Sequence, residues 1–255
     1  MPKLAVLILT KNEEKNIEEC IKSVSFADEV VVIDSGSTDK TQEKAESLGA
    51  RFVVHEMDEA GFAGQRNFAL QQTEAEWIMY LDADERVIPG AVPVIQQAVA
   101  SNEQKGYRLE RKNIVFGKRM HHGGNRSDYS ARLYPRKKIK WQGVVHESVV
   151  TDLPWENIDN GLDHYTYTTW QQYFGKFNHY TSLAAREMFD RGGKVSCGGA
   201  VSHAFFALIR DFILRKGFLD GFMGLVMAIM AGTYTLVKYL KVINLYRLAG
   251  EEAEK

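Results

Sequence analysis

Alternating strand and helix signals dominate the first 81 residues. Short apolar runs, typical of strands buried on both faces, alternate with helical stretches. The apolar runs occupy residues 3–9, 29–33, 51–55 and 76–81, and the helical stretches occupy residues 14–25, 39–48 and 64–72. Strands that are separated by helices predict a parallel, right-handed α/β sheet. Ligands of such sheets lie beyond the carboxyl ends of the strands, so the residues after each run are the first candidates for a site.

Polar and acidic residues follow three of these runs. Thr10 and Glu13 come after the first run, Asp34 follows the second, and Asp82 and Asp84 follow the fourth. Thr10 and Glu13 also have the spacing of a helix-capping box, an alternative that spacing alone leaves open. Acidic clusters at one sheet edge repel one another unless a cation or a hydrogen-bonding ligand lies there. The sequence therefore predicts a binding site at this edge.

Composition and charge narrow the class of protein. The chain has 255 residues, 45% of them apolar, and a net charge of −1 from 32 basic and 33 acidic side chains. This balance is typical of a globular protein and gives no general basic surplus for nucleic-acid binding. Cys20 and Cys197 are too few for a disulfide framework, so we expect two buried thiols in a reducing compartment. Because the N-terminus lacks a signal-peptide pattern, we expect a cytoplasmic protein.

Common nucleotide and hydrolase motifs are missing from the sequence. It contains no glycine-rich dinucleotide fingerprint, no P-loop, no zinc-binding His-Glu-x-x-His and no nucleophile elbow. The remaining motif is Asp82-Ala83-Asp84, which ends a strongly apolar strand. Two carboxylates in this position can share Mg²⁺ or Mn²⁺ with the oxygens of a diphosphate. The motif is short, and its position at a strand end indicates a nucleoside diphosphate as ligand.

The C-terminal third is apolar and helical. We predict helices over residues 170–189, 201–214 and 221–237, the last of which contains no charged residue. Because a spanning helix needs about 20 apolar residues, we interpret 221–237 as too short to cross a bilayer and as a helix lying in its interface. Six basic residues against two acidic ones between positions 197 and 248 favour anionic lipids. Packing of these helices as an ordinary core remains the alternative.

These motifs together resemble inverting family 2 glycosyltransferases of GT-A fold. The resemblance is carried by residues 9–14, 34–39, 64–67 and 81–85. Trp141-x-Gly143-x-Val145-His146-Glu147 and the segment 215–221 resemble more narrowly the bacterial branch that adds glucose to the inner core of lipopolysaccharide. The resemblance extends over nearly the whole chain. It implies an α/β GT-A domain with a mixed sheet flanked by helices, followed by a helical, membrane-associating extension.

The resemblance also implies roles for individual residues. Thr10 and Glu13 would flank the nucleotide, and Asp34 would bind the uridine. Asp82 and Asp84 would contact the ribose and the metal, and Arg66 would contact the donor, where its guanidinium can stabilise the departing diphosphate.

The acceptor hydroxyl needs a general base. Glu147 is the candidate base, and His146 would coordinate the metal or orient that base. The family's usual base lies in an acidic dipeptide, so the His146-Glu147 pair departs from the pattern and leaves both roles open.

The expected enzyme is a metal-dependent glycosyltransferase that moves glucose from UDP-glucose to a heptose of the lipopolysaccharide inner core. We expect a catalytic domain over residues 1–168, divided into a nucleotide-sugar half (1–100) and an acceptor half (101–168), and a helical region over 169–255 at the cytoplasmic face of the inner membrane. Three alternatives remain open. They are a polyprenyl phosphate or polysaccharide acceptor, a nucleotidyltransferase that releases pyrophosphate, and a scaffold that binds a sugar nucleotide without turnover.

Overall fold

The computed structural model describes residues 2–143 and 147–253, which divide into two compact units. The first unit comprises Met1–Lys112 and Asp128–His164, and the second comprises Asn113–Ser127 and Tyr165–Lys255. The segment 113–127 groups with the C-terminal helices in the second unit. The domains at residues 1–168 and 169–255 stay a prediction.

The first unit begins with the predicted alternation of strands and helices. Its strands are β1 (Leu4–Thr10), β2 (Glu29–Asp34), β3 (Arg51–Val54) and β4 (Trp77–Asp82), and its helices are α1 (Ile17–Ser23), α2 (Thr41–Ser47) and α3 (Gly61–Leu70). Strands β1 to β4 pair in parallel in the order β3-β2-β1-β4. The predicted parallel sheet is therefore confirmed.

Antiparallel strands extend this sheet and make it mixed. The following elements are β5 (Glu85–Val87), α4 (Val92–Ser101), β6 (Gly106–Val115), β7 (Lys118–Arg119), β8 (Asp128–Pro135), β9 (Lys140–Gln142), β10 (Ser148–Val150) and β11 (Trp155–Tyr167). Within the described residues the sheet continues from β4 through β8, β6 and β11 to β5, and β9 pairs with β10 separately. The predicted mixed sheet flanked by helices is present.

Strand β1 is apolar from Leu4 to Leu9 because both of its faces are buried. Leu4, Val6 and Ile8 pack in one hydrophobic cluster, and Leu7 and Leu9 pack in another. Alternate side chains of a strand point to opposite faces, so a strand covered on both faces needs apolar residues at every position.

The capping-box alternative for Thr10 and Glu13 is wrong. Thr10 is the last residue of β1, and helix α1 begins only at Ile17. Asn12 has a left-handed backbone (φ 55°), its amide donates to Ser37 Oγ at 2.7 Å, and its side-chain oxygen accepts from the Thr38 amide at 2.8 Å. This residue therefore prevents a helix from starting at position 11 and ties the first loop to the second.

The second unit contains three long helices and the segment 113–127. The helices are α5 (Trp170–Asp190), α6 (Cys197–Ile209) and α7 (Gly221–Ala253), with a π-helical turn at Arg210–Leu214 and a 3₁₀ turn at Gly217–Asp220. Val115 and Met120 pack against Tyr173 and Met227 in a small apolar cluster.

Two sequence predictions for this unit are wrong, namely the end of the last helix at Val237 and the burial of Cys197. Helix α7 has 33 residues and continues far beyond Val237. The charged residues after Val237, such as Lys238 and Lys241, are good helix formers and do not end it. Two stretches, Cys197–Leu214 and Gly217–Gly250, are long and apolar enough to cross a membrane by length and composition, and only 17% and 28% of their windows are buried. Cys197 is exposed, unlike the buried Cys20, because only one side of α6 packs against the unit.

Candidate active site

The carboxyl ends of β1, β2 and β4 meet at one edge, as the sequence predicts. The pairing register places Thr10 opposite Asp34 and Leu9 opposite Asp82. Thr10 is buried, and its hydroxyl has no hydrogen-bond partner among the described residues. Two of the predicted acidic clusters therefore flank the end of the central strand.

Asp34 organises the loop that follows β2. Its Oδ2 accepts hydrogen bonds from the amides of Gly36 at 2.9 Å and Ser37 at 2.6 Å, and its Oδ1 accepts from the Ser37 hydroxyl at 2.5 Å. Gly36 has φ +86°, a conformation that disfavours side chains. The Asp34 carboxylate is thus buried and held by its own loop, which fixes its position at the carboxyl edge of the sheet.

Glu13 lies in the loop between β1 and α1, beside the loop after β2. Its amide donates to Thr41 Oγ1 at 2.9 Å, and its carboxylate accepts from Asn16 Nδ2 at 2.7 Å. The two loops that carry Glu13 and Asp34 are therefore joined by hydrogen bonds, which holds both predicted nucleotide contacts at the same edge.

Asp82 lies between two buried arginines. Its Oδ1 is 3.1 Å from Nη2 of Arg66, and its Oδ2 is 2.7 Å from Nη2 of Arg132. Burial alone would raise the pKa of Asp82, but the guanidinium groups of Arg132 and Arg66 more than offset it and hold that pKa below its ordinary range. Asp82 is therefore an ionised, oriented carboxylate that faces two cations within the protein.

Glu85 is a second carboxylate of this charged network, and it is more deeply buried than Asp82. Its side chain is fully buried, 2.5 Å from Nη2 of Arg132 and 3.6 Å from Nη1 of Arg111. Burial raises the pKa of Glu85, and the neighbouring Arg132 opposes that rise. Arg111 in turn forms two hydrogen bonds with Asp128, at 2.8 and 3.0 Å. Each buried charge in this network has an opposite charge beside it, as burial requires.

Asp84 is paired with a histidine that the sequence analysis missed. Nε2 of His164 lies 3.5 Å from Oδ2 of Asp84, and both side chains are about 15% exposed. The antiparallel register of β5 and β11 sets this distance, because His164 lies opposite Glu85. No sequence pattern marks His164, since it lies in a strand far from the acidic motif.

Arg132 was also missed, although β8 carries a signal for it. It is the first of four buried positions at the end of β8, Arg132 to Pro135, and follows the half-buried Ala131. A charged residue in such a run needs a buried partner of opposite charge, and the acidic clusters at the strand ends supply it.

Glu147 lies near the same arginine as Asp82. Its Oε1 is 3.9 Å from Nη2 of Arg66, and its side chain is 25% exposed. The preceding strand β9 is anchored on α3, because Asn67 exchanges two hydrogen bonds with the backbone of Trp141, at 2.8 and 2.9 Å. Glu147, the predicted base, therefore lies beside the arginine that is paired with Asp82. His146, the predicted metal ligand beside it, lies outside the described residues.

Arg66 has unused hydrogen-bonding capacity. Its guanidinium carbon is 4.7 Å from the centre of the Trp141 ring and 5.3 Å from that of Tyr80. Its Nε and Nη1 atoms are buried, and neither has a hydrogen-bond partner among the described residues. Unsatisfied buried donors are costly, so these atoms call for an acceptor such as an anionic ligand.

Comparison with known proteins identifies the family. The sequence pattern described as Glycosyl transferase family 2 matches residues 5–150. The chain belongs to this family. An uncharacterized glycosyltransferase of Rickettsia bellii is 31% identical to it over 264 residues, which cover 97% of this chain and 87% of that protein. This family 2 glycosyltransferase therefore has an α/β GT-A fold with C-terminal helices.

Two further proteins are similar to the family 2 glycosyltransferase over nearly its whole length. The lipopolysaccharide core biosynthesis glycosyltransferase LpsC of Rhizobium meliloti is 27% identical over 252 residues, covering 96% of this chain and 93% of LpsC. The crystal structure of S. aureus TarS 1–349 superposes with a TM-score of 0.48 and 15% identity, covering 97% of this chain and 92% of that one.

Proposed function

We propose that the enzyme transfers a hexose, glucose from UDP-glucose, to a heptose of the lipopolysaccharide inner core with inversion at the anomeric carbon. The observation that carries this proposal is the convergence of Thr10, Asp34 and Asp82 at one sheet edge, with Arg66 beside both Asp82 and Glu147. Two buried nitrogens of Arg66 have no acceptor among the described residues. A diphosphate oxygen supplies such an acceptor. The likeness to LpsC over 96% of the chain supports the lipopolysaccharide acceptor.

A divalent cation fits the pair formed by Asp84 and His164. Among the described residues no group of three or more His, Cys, Asp or Glu side chains is arranged to hold a metal ion. Mg²⁺ commonly binds through one or two carboxylates, water and substrate phosphates, and Mn²⁺ accepts imidazole as well. Asp84 and His164 match this donor set, whereas Asp82 already faces two guanidinium groups. When bound, Mg²⁺ or Mn²⁺ would neutralise charge on the departing diphosphate.

The remaining chemistry is assigned to the protein's own residues. Arg66 binds diphosphate oxygens through Nε and Nη1, which have no partner among the described residues, and stabilises the charge that develops on the leaving group. Glu147 accepts the proton of the acceptor hydroxyl as that oxygen attacks the anomeric carbon. Asp34 and Asp82 hold the uridine and the ribose, with Thr10 and Glu13 on either side of the nucleotide.

The proposed location is the cytoplasmic face of the inner membrane, with peripheral attachment through the second unit. Two apolar helical stretches of which little is buried support this location. Such attachment would bring the enzyme to a lipid-linked acceptor.

The test is UDP release by the purified full-length enzyme with a metal ion and a lipopolysaccharide core that ends in heptose. We expect transfer from UDP-glucose with either Mg²⁺ or Mn²⁺ and loss of activity with a chelator. Asp84→Asn and His164→Gln should lower turnover at least about 100-fold, as expected when transition-state electrostatics are lost. The matched control is Asp190→Asn, which changes an exposed carboxylate of α5.

Three outcomes would contradict parts of the proposal. Normal metal-dependent turnover in Asp84→Asn would remove the metal assignment. Transfer only to a polyprenyl phosphate or a polysaccharide would replace the acceptor. Binding of UDP-glucose without release of UDP under any condition would indicate a scaffold, and release of pyrophosphate from a nucleoside triphosphate would indicate a nucleotidyltransferase.

A further inference from the structure

Helices α6 and α7 pack together yet expose two stripes of large apolar side chains. Gly232 of α7 lies so close to α6 that a Cβ there would be 3.0 Å from the Ala204 carbonyl oxygen. The exposed stripes are Val201 and Phe205 on α6, and Phe222, Leu225 and Ile229 on α7. Phe222 is 79% exposed and Phe205 is 66% exposed. Large apolar side chains with this much exposed surface are typical of an interaction site when they cluster on a soluble protein.

The spacing within each stripe places its residues on one side of a helix. Val201 and Phe205 are four residues apart, and Phe222, Leu225 and Ile229 are separated by three and four. We refer to these five residues as the apolar face. Phe206, Phe218 and Leu219 are exposed as well, so the exposed apolar surface continues beyond these five residues toward the turn. Rows of exposed apolar side chains at helical spacing are typical of helices that lie at an interface.

Basic residues collect beside the turn that joins the two helices. Lys216 is exposed in this turn, and Arg210 and Arg215 are partly exposed. The two acidic residues there are buried: Asp211 is ion-paired with both arginines, and Asp220 accepts hydrogen bonds from the segment 113–127. The turn therefore presents mainly positive charge to its surroundings.

The segment 113–127 adds more positive charge to the same turn. Asp220 Oδ2 accepts from the amides of His121 at 3.0 Å and His122 at 2.8 Å, and the Gly123 amide donates to the Arg215 carbonyl oxygen at 2.9 Å. Burial alone would raise the pKa of Asp220, and the hydrogen bonds from His122 lower it overall, so the carboxylate stays charged. These bonds hold the exposed basic residues of the segment beside the turn. They are Lys118, Arg119 and Arg126.

Helix α5 decides how these helices can meet a membrane. It runs beside α7 in the same direction, since Phe177 stacks edge-on with Tyr234 at 5.6 Å and Phe189 lies 4.7 Å from Tyr246. Many exposed side chains of α5 are polar. They include Gln171, Asn178, His179, Ser182, Arg186 and Asp190. If α7 crossed the bilayer, α5 would be carried into the hydrocarbon with these groups, at a large cost in free energy.

The length of α7 points the same way. Its 33 residues correspond to about 50 Å, whereas the hydrocarbon core is about 30 Å thick. A helix that lies in the plane of the interface has no such limit.

We propose that α6 and α7 lie flat on an anionic bilayer, with the apolar face in the upper acyl region and the basic residues at the head groups. The charge of the turn fits anionic phosphate head groups, and the polar side of α5 remains in water. This inference rests on the proposed membrane location and adds to it an orientation and the contacting residues.

The first test is sedimentation of the full-length protein with vesicles of phosphatidylcholine, alone or mixed with phosphatidylglycerol. We expect binding to the mixed vesicles that weakens with salt. Phe205→Ser combined with Phe222→Ser should lower the affinity at least about tenfold, because two large side chains leave the acyl region. Arg119→Gln with Lys216→Gln should lower it about 30-fold, because each removed charge costs about 1 kcal/mol near an anionic surface.

The control for the apolar substitutions is Val94→Ser, which changes an exposed apolar residue of α4. Its affinity and melting temperature should equal those of the wild-type protein. If Phe205→Ser with Phe222→Ser changes the sedimentation coefficient of the free protein and leaves vesicle binding intact, the apolar face joins two copies of the chain and the proposal is overturned.

The second test measures orientation in inner-membrane vesicles. Cys197→Ser removes the exposed thiol, and Cys20 is buried with its pKa raised by that burial, so it stays unreactive. Lys216→Cys and Arg247→Cys, made separately in this background, place a thiol near either end of α7. A flat orientation predicts that a membrane-impermeant maleimide labels both thiols from the cytoplasmic side only.

The possible results test the flat orientation and the membrane location separately. Labelling of the two positions from opposite sides would overturn the flat orientation and leave the membrane location standing. Absence of the protein from inner membranes, together with no binding to either kind of vesicle, would overturn the location itself.

Discussion

Arg132 is bonded to Asp82 through its Nη2 atom, which lies 2.7 Å from Oδ2 of that carboxylate. The same nitrogen lies 2.5 Å from Oε1 of the buried Glu85. One guanidinium therefore connects the end of β4 with the first residue of β5. Asp82 is thus held in place from within the sheet, independently of any ligand.

Loss of Arg132 should destabilise the fold strongly. Arg132→Met leaves Glu85 buried without its nearest cation, and a broken buried ion pair typically costs about 3–5 kcal/mol. Urea unfolding should give a free energy lower by that amount. Arg132→Met with Glu85→Leu should cost much less than the sum of the single changes, since both charges are gone. The control is Arg136→Met, whose partner Glu74 is 91% exposed. If the free-energy losses of Arg132→Met and Glu85→Leu simply add in the double variant, the two residues are not coupled.

Substitution of Arg66 should weaken donor binding. Substitution of Arg108, which also lies over an aromatic ring, should not. Arg66→Lys keeps the charge and loses the planar donors, so the KM for the sugar nucleotide should rise about tenfold or more, as for a lost charged hydrogen bond. Arg108→Lys is the control, because Arg108 also lies 4.7 Å from an aromatic ring, that of Trp155. Equal KM values for both variants would show that Arg66 does not contact the donor.

Glu147 should contribute to turnover and not to donor affinity. Glu147→Gln keeps the size of the side chain and removes its basicity, so kcat should fall about 10²–10⁴-fold while the Kd of UDP-glucose stays within a factor of about two. Calorimetric titration measures the Kd, and Glu74→Gln serves as the exposed control. Undiminished kcat would assign the base to another group.

Acid should weaken the bonds of Asp220 with the segment 113–127. Because the folded pKa of Asp220 is lowered, the unfolded chain binds more protons near its ordinary pKa of about 3.9. The stabilisation is therefore complete above that value and is lost as the pH falls toward the lowered pKa. Urea unfolding between about pH 7 and pH 3.5 should show a smaller loss in Asp220→Asn than in the wild-type protein. Parallel curves for the two proteins would contradict the assignment.

Local sequence patterns were sufficient to predict the carboxyl edge of the parallel strands. They were insufficient to predict the residues that the antiparallel strands bring to it. The apolar runs predicted β1, β2 and β4 to within a residue or two at each end, because a doubly covered strand requires apolar side chains throughout. Strand ends in a parallel sheet then bring Thr10, Asp34 and Asp82 together. The predicted helix start failed because the left-handed Asn12 belongs to contacts between two loops, which spacing along the chain does not encode.

His164 and Arg132 depend on antiparallel pairings between strands that are distant in sequence. The register of β11 on β5 selects which residue of β11 meets the acidic motif, and no periodicity of the chain specifies that register. The length of α7 escaped prediction for a different reason. Charged residues such as Lys238 end an apolar run without ending a helix, so hydropathy alone gave too short an element.

The pairing of His164 with Glu85 also determines the order in which the site is completed during synthesis. The edge formed by β1, β2 and β4 uses only the first 82 residues of the chain. The imidazole beside Asp84 arrives with β11, which the ribosome releases much later. A chain that ends before residue 155 therefore contains every residue of this edge while Asp84 still lacks the histidine.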